Sequence, residues 1–512
     1  MSVTSEVRRA DGTTHKGLAL VVIAISQLMV VLDATIVNVA LDDIYRALDF
    51  TSQADLSWVV TGYTLTFGGF LLLGGKLADR LGRRRVFIAG AVLFAVASAL
   101  GGAAANPGML IAARLLQGLG GALMSPAALS LLTVTFEEGP ERNKALGVFS
   151  AITAGGAALG LILGGLLTDY LNWRWVLLVN IPIAVLATVG ALRFVPESKD
   201  ETAQGFDVPG AVLATTGLIA LVYGLVKVND PTTTGTTSAL TFAAAVVLLV
   251  AFVVWQLRTP TPLVPFRLFK NRNILAADVG ALLVGTGIFA LFFFVVLWMQ
   301  QINGYSAIRS GLAFLPMTFL IGGSAAFAAK TLARTGARPL LMAGMSLATL
   351  GMLLLGLRLE PDSSYVTVIL PSLVLVAMGM GMTFVALTAA AIAGVPHEDA
   401  GIASALLNAG QQVGGALGLA LLAAVSTGRS GAVLDGFEAK QEQVRTALQS
   451  GPPTPDTLAV LGRVQDALVQ GWGVGFVVAA GFLLAAGLVF SRIKVSKEDA
   501  AAALKESMAG AA

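Results

Sequence analysis

Long apolar runs alternate with short polar interruptions along the whole chain. Mostly apolar runs lie near 17–40, 57–75, 86–105, 107–135, 145–168 and 174–195. Eight more follow near 209–228, 238–257, 274–299, 311–330, 339–358, 365–395, 400–426 and 470–492. Each reaches the roughly 18–20 residues that a helix needs to cross a hydrocarbon core of about 30 Å. In lipid, backbone polar groups have to be satisfied inside the segment itself, so the pattern predicts an all-α integral membrane protein with fourteen transmembrane helices. The first run exceeds the roughly 7–15 apolar residues of a signal peptide and follows Arg8, Arg9 and Lys16, which marks it as a retained first helix.

The interruption at 75–86 changes the picture most. Lys76, Asp79, Arg80, Arg83, Arg84 and Arg85 crowd one short turn that hydrocarbon cannot hold. Five of these six charges are basic, which places the turn on the cytoplasmic side. With the N-terminus inside, 23 of the 33 Lys and Arg residues fall in cytoplasmic segments and 9 in outer ones, while Arg114 alone lies within a span. One span more or fewer would invert every later connection and spoil this bias. Both termini are therefore expected in the cytoplasm.

The chain also repeats itself. Lys330-Thr-Leu-Ala-Arg-Thr-Gly-Ala-Arg338 echoes the turn at 75–86, aligning Arg80 with Arg334 and Gly82 with Gly336, although Ala333 stands where Asp79 does. Gly156, Gly160 and Gly164 of the fifth run are matched by Gly410, Gly414 and Gly418 of the thirteenth. Setting the seventh and eighth runs aside brings both echoes into register. The expected layout is an N-terminal tail (1–16), a six-helix half (17–200), two inserted linker helices (201–260), a second, pseudo-symmetric six-helix half (261–492, with an outer loop at 427–469) and a C-terminal tail (493–512). Repeated halves are a transporter architecture. A short amphipathic helix is expected over 441–449, and a helical tail after the last span.

Composition narrows the chemistry. Of 512 residues, 56% are hydrophobic and 12% charged, with mean hydropathy +0.81; soluble domains carry about 25% charge. The net charge of +3 resides in connections, so no nucleic-acid partner is implied. With no cysteine and only His15 and His397, thiol chemistry, zinc-thiolate sites and histidine metal clusters are excluded. Paired catalytic carboxylates and a G-x-x-x-x-G-K-[ST] nucleotide loop are both missing, so neither an enzyme nor nucleotide-driven work is expected. No cofactor is called for. The Ala- and Gly-rich composition points to a bacterial source.

A few polar residues sit where apolar ones belong. Asp33 lies deep in the first run, where an ionised carboxylate costs several kcal/mol, so it should face a cavity or a partner. A carboxylate there that gains and loses a proton is what proton coupling requires. Ser26 shares its helical face, while Gln27, Thr35 and Asn38 share another. In the fourth run, Arg114, Gln117, Gly118, Gly121 and Ser125 fall on one face, setting a fixed positive charge among small residues. Gly156, Gly160 and Gly164, with Gly165 beside them, form a seam for close helix packing. Trp173 and Trp175 are placed as interfacial anchors. Asp278, near the cytoplasmic end of the ninth run, reads as a second proton or cation site or as an interfacial acid near Arg272. Candidate substrate contacts are Gln27, Asn38, Tyr63, Phe67 and Gln117 in the first half and Phe289, Phe292, Phe293, Asn408, Gln411 and Gln412 in the second. Aromatics beside acids suit lipophilic, often cationic ligands.

Several of these stretches resemble one family. Gly75-Lys-Leu-Ala-Asp-Arg-Leu-Gly-Arg-Arg84 is similar to the signature loop of the major facilitator superfamily. With Asp33-Ala-Thr-Ile-Val-Asn38, Arg114 to Gly118, the glycines at 156–165, Trp173-Arg-Trp175, Asn180-Ile-Pro182 and Pro265-Phe-Arg-Leu-Phe-Lys-Asn-Arg272, it looks like the fourteen-helix drug:proton antiporter branch. Leu161 departs from that branch's motif proline, and Asp42 from the proline that usually ends the first-helix motif. The resemblance implies efflux of lipophilic drugs or antibiotics by alternating access, driven by the proton gradient. It assigns proton coupling to Asp33 and Arg114, and a cytoplasmic gate to Gly75, Asp79, Arg80, Gly82, Arg83 and Arg84. Expected partners are small lipophilic molecules, protons and membrane lipids, met by a monomer in the cytoplasmic membrane. A proton-coupled exporter of an endogenous lipid or metabolite, or a non-transporting sensor or scaffold, would be the alternatives.

Overall fold

Apolar runs of this length have one way to satisfy their backbone in lipid, and the chain takes it. The computed structural model describes residues 12–50, 52–137, 139–200, 205–228, 233–393, 395, 397–450 and 454–499, and among them helices are the only regular structure. The first half comprises α1 (Lys16–Ala47), α2 (Gln53–Leu81), α3 (Arg83–Gly102), α4 (Pro107–Thr135), α5 (Pro140–Tyr170) and α6 (Trp175–Phe194). Two further helices follow, α7 (Val208–Lys227) and α8 (Gly235–Arg258). The second half comprises α9 (Arg272–Ile302), α10 (Ala307–Thr335), α11 (Ala337–Arg358), α12 (Tyr365–Ile392), α13 (His397–Val433) and α14 (Pro455–Phe490). Thirteen of these are long and apolar enough to cross a membrane; the fourteenth, α5, has 31 residues, with its described apolar part at Gly155–Tyr170.

The two halves repeat their packing. Gly90 of α3 and Gly120 of α4 meet so closely that a Cβ on either would strike the other helix's backbone, and Gly344 of α11 meets Gly379 of α12 in the same way. Gly160 and Gly164 lie against the Leu32 and Ile36 carbonyls of α1, as Gly414 and Gly418 lie against Leu282 and Thr286 of α9. The echoed turns agree too. Gly82 (φ +113°) and Gly336 (φ +83°) both hold left-handed backbone between consecutive helices, a conformation open to glycine without strain.

The inserted pair packs on itself, and α7 also touches α2 and α13. The linker helices are fastened at one end by Asp207. Its carboxylate caps α7 at the Gly210 N–H (2.8 Å) and accepts from Trp255 Nε1 (2.7 Å) and Gln256 Nε2 (2.5 Å) of α8.

Two local expectations are corrected. The segment 427–469 is largely helical: α13 and α14 run on for 37 and 36 residues, flanking a helix at Phe437–Ser450. Its apolar face buries Phe437 and Val444, and Arg445 pairs with Asp49 at 2.6 Å. Trp173 is buried rather than interfacial. Arg174 lies over its ring at 4.5 Å and donates to the Gly102 and Ala104 carbonyls at the end of α3 (3.1 and 2.6 Å), so a helix C-terminus claims the pair. The expected helical tail beyond residue 499 and the tail before residue 12 lie outside the described residues.

Candidate functional site

Asp33 and Arg114 meet in the interior of the first half, 0% and 1% exposed. Arg114 Nη1 donates to Asp33 Oδ2 at 2.6 Å. The other carboxylate oxygen accepts from Gln117 Nε2 (3.1 Å) and Asn180 Nδ2 (2.8 Å). Arg114 also donates from Nε to the Val59 carbonyl (2.8 Å) and from Nη1 to Gln117 Oε1 (3.0 Å), and its guanidinium lies 4.5 Å from the Tyr63 ring centroid. Gln117 Nε2 reaches Ser98 Oγ at 2.8 Å. Groups from α1, α2, α3, α4 and α6 thus converge on one buried ion pair.

Local sequence explains the convergence. Arg114 and Gln117 sit one turn apart on α4, so both project toward α1. Gly118 follows them, and a Cβ there would collide with the Tyr63 carbonyl, so α2 is admitted close enough for Val59 and Tyr63 to cover the arginine. A buried pair is tolerable when its remaining donors and acceptors are met, as here. Asn180 and Ser98 were not singled out among the sequence's site candidates. Their one signal is a polar residue inside an apolar run, which many structural residues share.

Other candidates in this half are already engaged. Gln27 accepts from Ser125 Oγ (3.2 Å), and Asn38 donates back to the Ala34 carbonyl (3.2 Å). Tyr63 and Gln117, expected to meet substrate, are packed inside: Tyr63 is 2% exposed beneath Arg114, and Gln117 belongs to the ion-pair network. Phe67, stacked on Tyr63 with centroids 5.9 Å apart, keeps a partly exposed ring.

In the second half, Phe289 and Phe292 are partly exposed, the latter stacked on Phe314 at 5.4 Å. Phe293 is fully buried, edge-on to Phe294, because it faces inward where α9 is apolar all round. Asn408 is exposed, and Gln411 and Gln412 are half-buried, with Gln412 against Gly68 of α2. Both oxygens of Asp278 are covered and lack any hydrogen-bond partner among the described residues.

The turn at 75–86 is held mainly by the stretch that follows α6, with Lys76 and Arg80 reaching residues beyond the first half. Arg83 donates to Asp79 Oδ1 from Nε (3.0 Å) and Nη2 (2.8 Å). The Asp79 carbonyl accepts from the Asp200 N–H, and the Arg83 N–H donates to the Ser198 carbonyl, both at 2.8 Å. Arg84 donates to the Val195 carbonyl and its N–H to Glu197 Oε1, both at 3.1 Å. Arg80 lies over Phe206 at 5.2 Å, and Lys76 reaches the Pro262 carbonyl at 2.6 Å. A Cβ on Gly82 would press on the Glu197 carboxylate, whereas one on Gly75 would make only ordinary contact with Pro126.

At the opposite end the halves are fastened together. Asp169 of α5 accepts from the Ala307 and Ile308 N–H groups at the start of α10 (3.0 and 2.9 Å). Gln300 donates to the Val39 carbonyl (2.8 Å), Gln53 to Gln301 (3.0 Å) and Trp472 Nε1 to Gln53 (3.0 Å). Gly165 packs on the Ile308 backbone and Gly311 on the Leu161 carbonyl, so Leu161 adds to this seam. Toward the Asp79 end, a Cβ on Gly147 or Gly155 of α5 or on Gly401 of α13 would meet nothing within 4 Å among the described residues.

Residues 23–419 match the family model described as Major Facilitator Superfamily. The chain belongs to that superfamily. It is 44% identical over 422 residues to a puromycin resistance protein of Streptomyces alboniger, covering 81% of this chain and 82% of that one. It is 39% identical over 432 residues to a cephamycin export protein of Amycolatopsis lactamdurans, covering 83% and 88%. Among solved structures, a bacterial homologue of the human lysosomal transporter Spinster, inward-facing and unoccupied, superposes with TM-score 0.65 at 17% identity, covering 94% of this chain and 99% of that one. As a member of the superfamily the protein is a multi-pass transporter and not an enzyme.

Proposed function

We propose that this transporter exports lipophilic, often cationic drugs or antibiotics by alternating access, in exchange for protons entering from outside. The observation that carries the reading is the Asp33 carboxylate, buried in the first half with every donor it meets supplied by α4 and α6. The names of the relatives, resistance to one antibiotic and export of another, support the substrate class.

The geometry offers a route from proton to movement. With Asp33 ionised, α1 is bound to Arg114 and Gln117 of α4. A proton on Asp33 removes the charge that holds Arg114 and loosens α1 from α4. Helix α1 is seamed to α5 through Gly156, Gly160 and Gly164, so α5 moves with it. The far end of α5 carries Asp169, so the movement passes to the latch on α10. A proton taken up from outside while that end is open lets α1 and α5 return and the latch re-form. The proton leaves to the cytoplasm as Asp33 pairs with Arg114 again. On this reading the fastened end is the outer one, the termini and the 75–86 turn are cytoplasmic, and Asp79 with Arg80, Arg83 and Arg84 re-forms the inner gate. No cofactor is needed; one charge moving down a 100 mV potential supplies about 2.3 kcal/mol. A monomer in the cytoplasmic membrane suffices.

The test is efflux of a preloaded fluorescent lipophilic cation from cells, with and without a protonophore. Efflux that collapses with the protonophore and is absent from Asp33→Asn cells is expected. Efflux indifferent to both would sink the coupling, and failure to move any drug or cation would transfer the machinery to an endogenous lipid or metabolite.

A further inference from the structure

The repeat between the halves exposes an imbalance in charge. The seam of α5 on α1 and that of α13 on α9 put Leu282 where Leu32 stands and Thr286 where Ile36 stands. The same register sets Leu283 at the place of Asp33. The Gly90–Gly120 crossing, matched at Gly344 and Gly379, sets Leu373 at the place of Arg114. The second half therefore has neither member of the ion pair. It has Asp278 instead, where the first half has Leu28.

Asp278 is the one acidic residue inside a span between 272 and 433; Glu360, Asp362, Glu398 and Asp399 lie in connections or at the start of α13. Both of its oxygens are covered and unpartnered, although the residue as a whole keeps some exposure. The elements packed against it bring no counter-charge. Residues 401–415 of α13, where Gly410 approaches the Asp278 carbonyl, contain no titratable group, and neither do 483–490 of α14 or 384–392 of α12. Arg267, Lys270 and Arg272 on the lead-in to α9 and Arg492 and Lys494 after α14 are the nearest basic residues along these elements, and none hydrogen-bonds to it. A covered carboxylate without donors is not left as a bare anion; it takes a proton or a cation.

We propose that Asp278 is a second monocation site, filled by a proton in the empty transporter and by the positive head of a cationic substrate during export. The proposal rests on the export reading and adds to it where a charged substrate is held. When the cation arrives the acid gives its proton to water, so one positive charge replaces another and the site stays neutral. On α13, Gly410 approaches the Asp278 carbonyl, and the amide residues on either side of it in sequence, Asn408, Gln411 and Gln412, are exposed or half-buried.

The test uses the purified full chain in lipid nanodiscs in weak buffer, titrated with tetraphenylphosphonium or a neutral apolar analogue. Affinity and proton release are read together. Wild type is expected to release protons on binding the cation and none with the neutral analogue. Asp278→Asn should bind the cation at least tenfold more weakly, release no proton and bind the neutral analogue as before. Asp278→Glu should restore both properties. Leucine occupies the matching position in the first half, so Asp278→Leu is the variant to use if the asparagine protein is not monodisperse. Lost proton release with unchanged cation affinity identifies the proton as the site's ligand; lost affinity with no release in wild type identifies the substrate cation. Unchanged affinity and release in Asp278→Asn would overturn the proposal. Binding is read without transport, so a failure here leaves the Asp33 account intact, and the two failures are distinguishable.

Discussion

At the residue scale, the Asp33–Arg114 pair is a structural commitment, and on the proposed mechanism a switch as well. Removing one member of a buried pair strands the other charge and costs about 3–5 kcal/mol, whereas replacing both by neutral groups costs much less. Arg114→Leu alone is therefore expected to lower the melting temperature in detergent well below that of the Asp33→Asn/Arg114→Leu double variant. Equal melting points would mean that the pair is not desolvated in the way its burial implies. Arg114→Lys should fold yet lose transport at least tenfold, because an ammonium cannot reach Val59, Asp33 and Gln117 from one planar fork. Asp33 and Arg114 were legible in the sequence because a charge in an apolar run has to be explained; Gln117, expected among the substrate contacts, belongs to their network instead. Their partners were not. Asn180 is separated from Asp33 by 147 residues and Ser98 from Gln117 by 19, and only the tertiary crossing of α3, α4 and α6 brings them in. The place of Tyr63 was hidden for the same reason: an aromatic on a spanning helix does not announce whether it faces a cavity or, as here, an arginine.

At the element scale, the glycine seams set which helices pack closest, and on the proposed mechanism which move together. A Cβ on Gly160 would fall on Thr35 Oγ1 and the Leu32 carbonyl, so Gly160→Val is expected to part α1 from α5 and abolish transport. Gly147→Ala, with nothing within 4 Å, should be neutral. The two variants, compared by efflux rate and melting temperature, separate the seam from mere helix propensity. Asp169 offers a second handle. Both of its oxygens are spent on backbone N–H groups of the opposite half, so Asp169→Ala should free the fastened end. The chain has no cysteine of its own, so a single Gln300→Cys change supplies a clean reporter. Its reaction with a water-soluble maleimide should quicken when Asp169→Ala is added; an unchanged rate would remove Asp169 from the latch. The seams could be read from glycine spacing alone, since i, i+4, i+8 leaves few other uses. The latch could not, because a carboxylate capping another helix's first turn shows no spacing within its own.

At the scale of the whole molecule, the fourteen-helix layout followed from run length and charge bias, and the repeat from two degenerate echoes that the structure turns into matching glycine contacts. The segment at 427–469 was harder to read. Polar helices beyond a membrane carry the composition of a loop, and their order comes from contacts such as Arg445 with Asp49. The central claim is exchange of substrate for protons at Asp33. Its most direct test follows intravesicular pH in proteoliposomes holding wild type or Asp33→Asn while a lipophilic cation is added. Proton movement driven by the cation in wild type and absent from the variant is the expected result. Undiminished movement in Asp33→Asn would contradict the account and take the coupling proton away from Asp33.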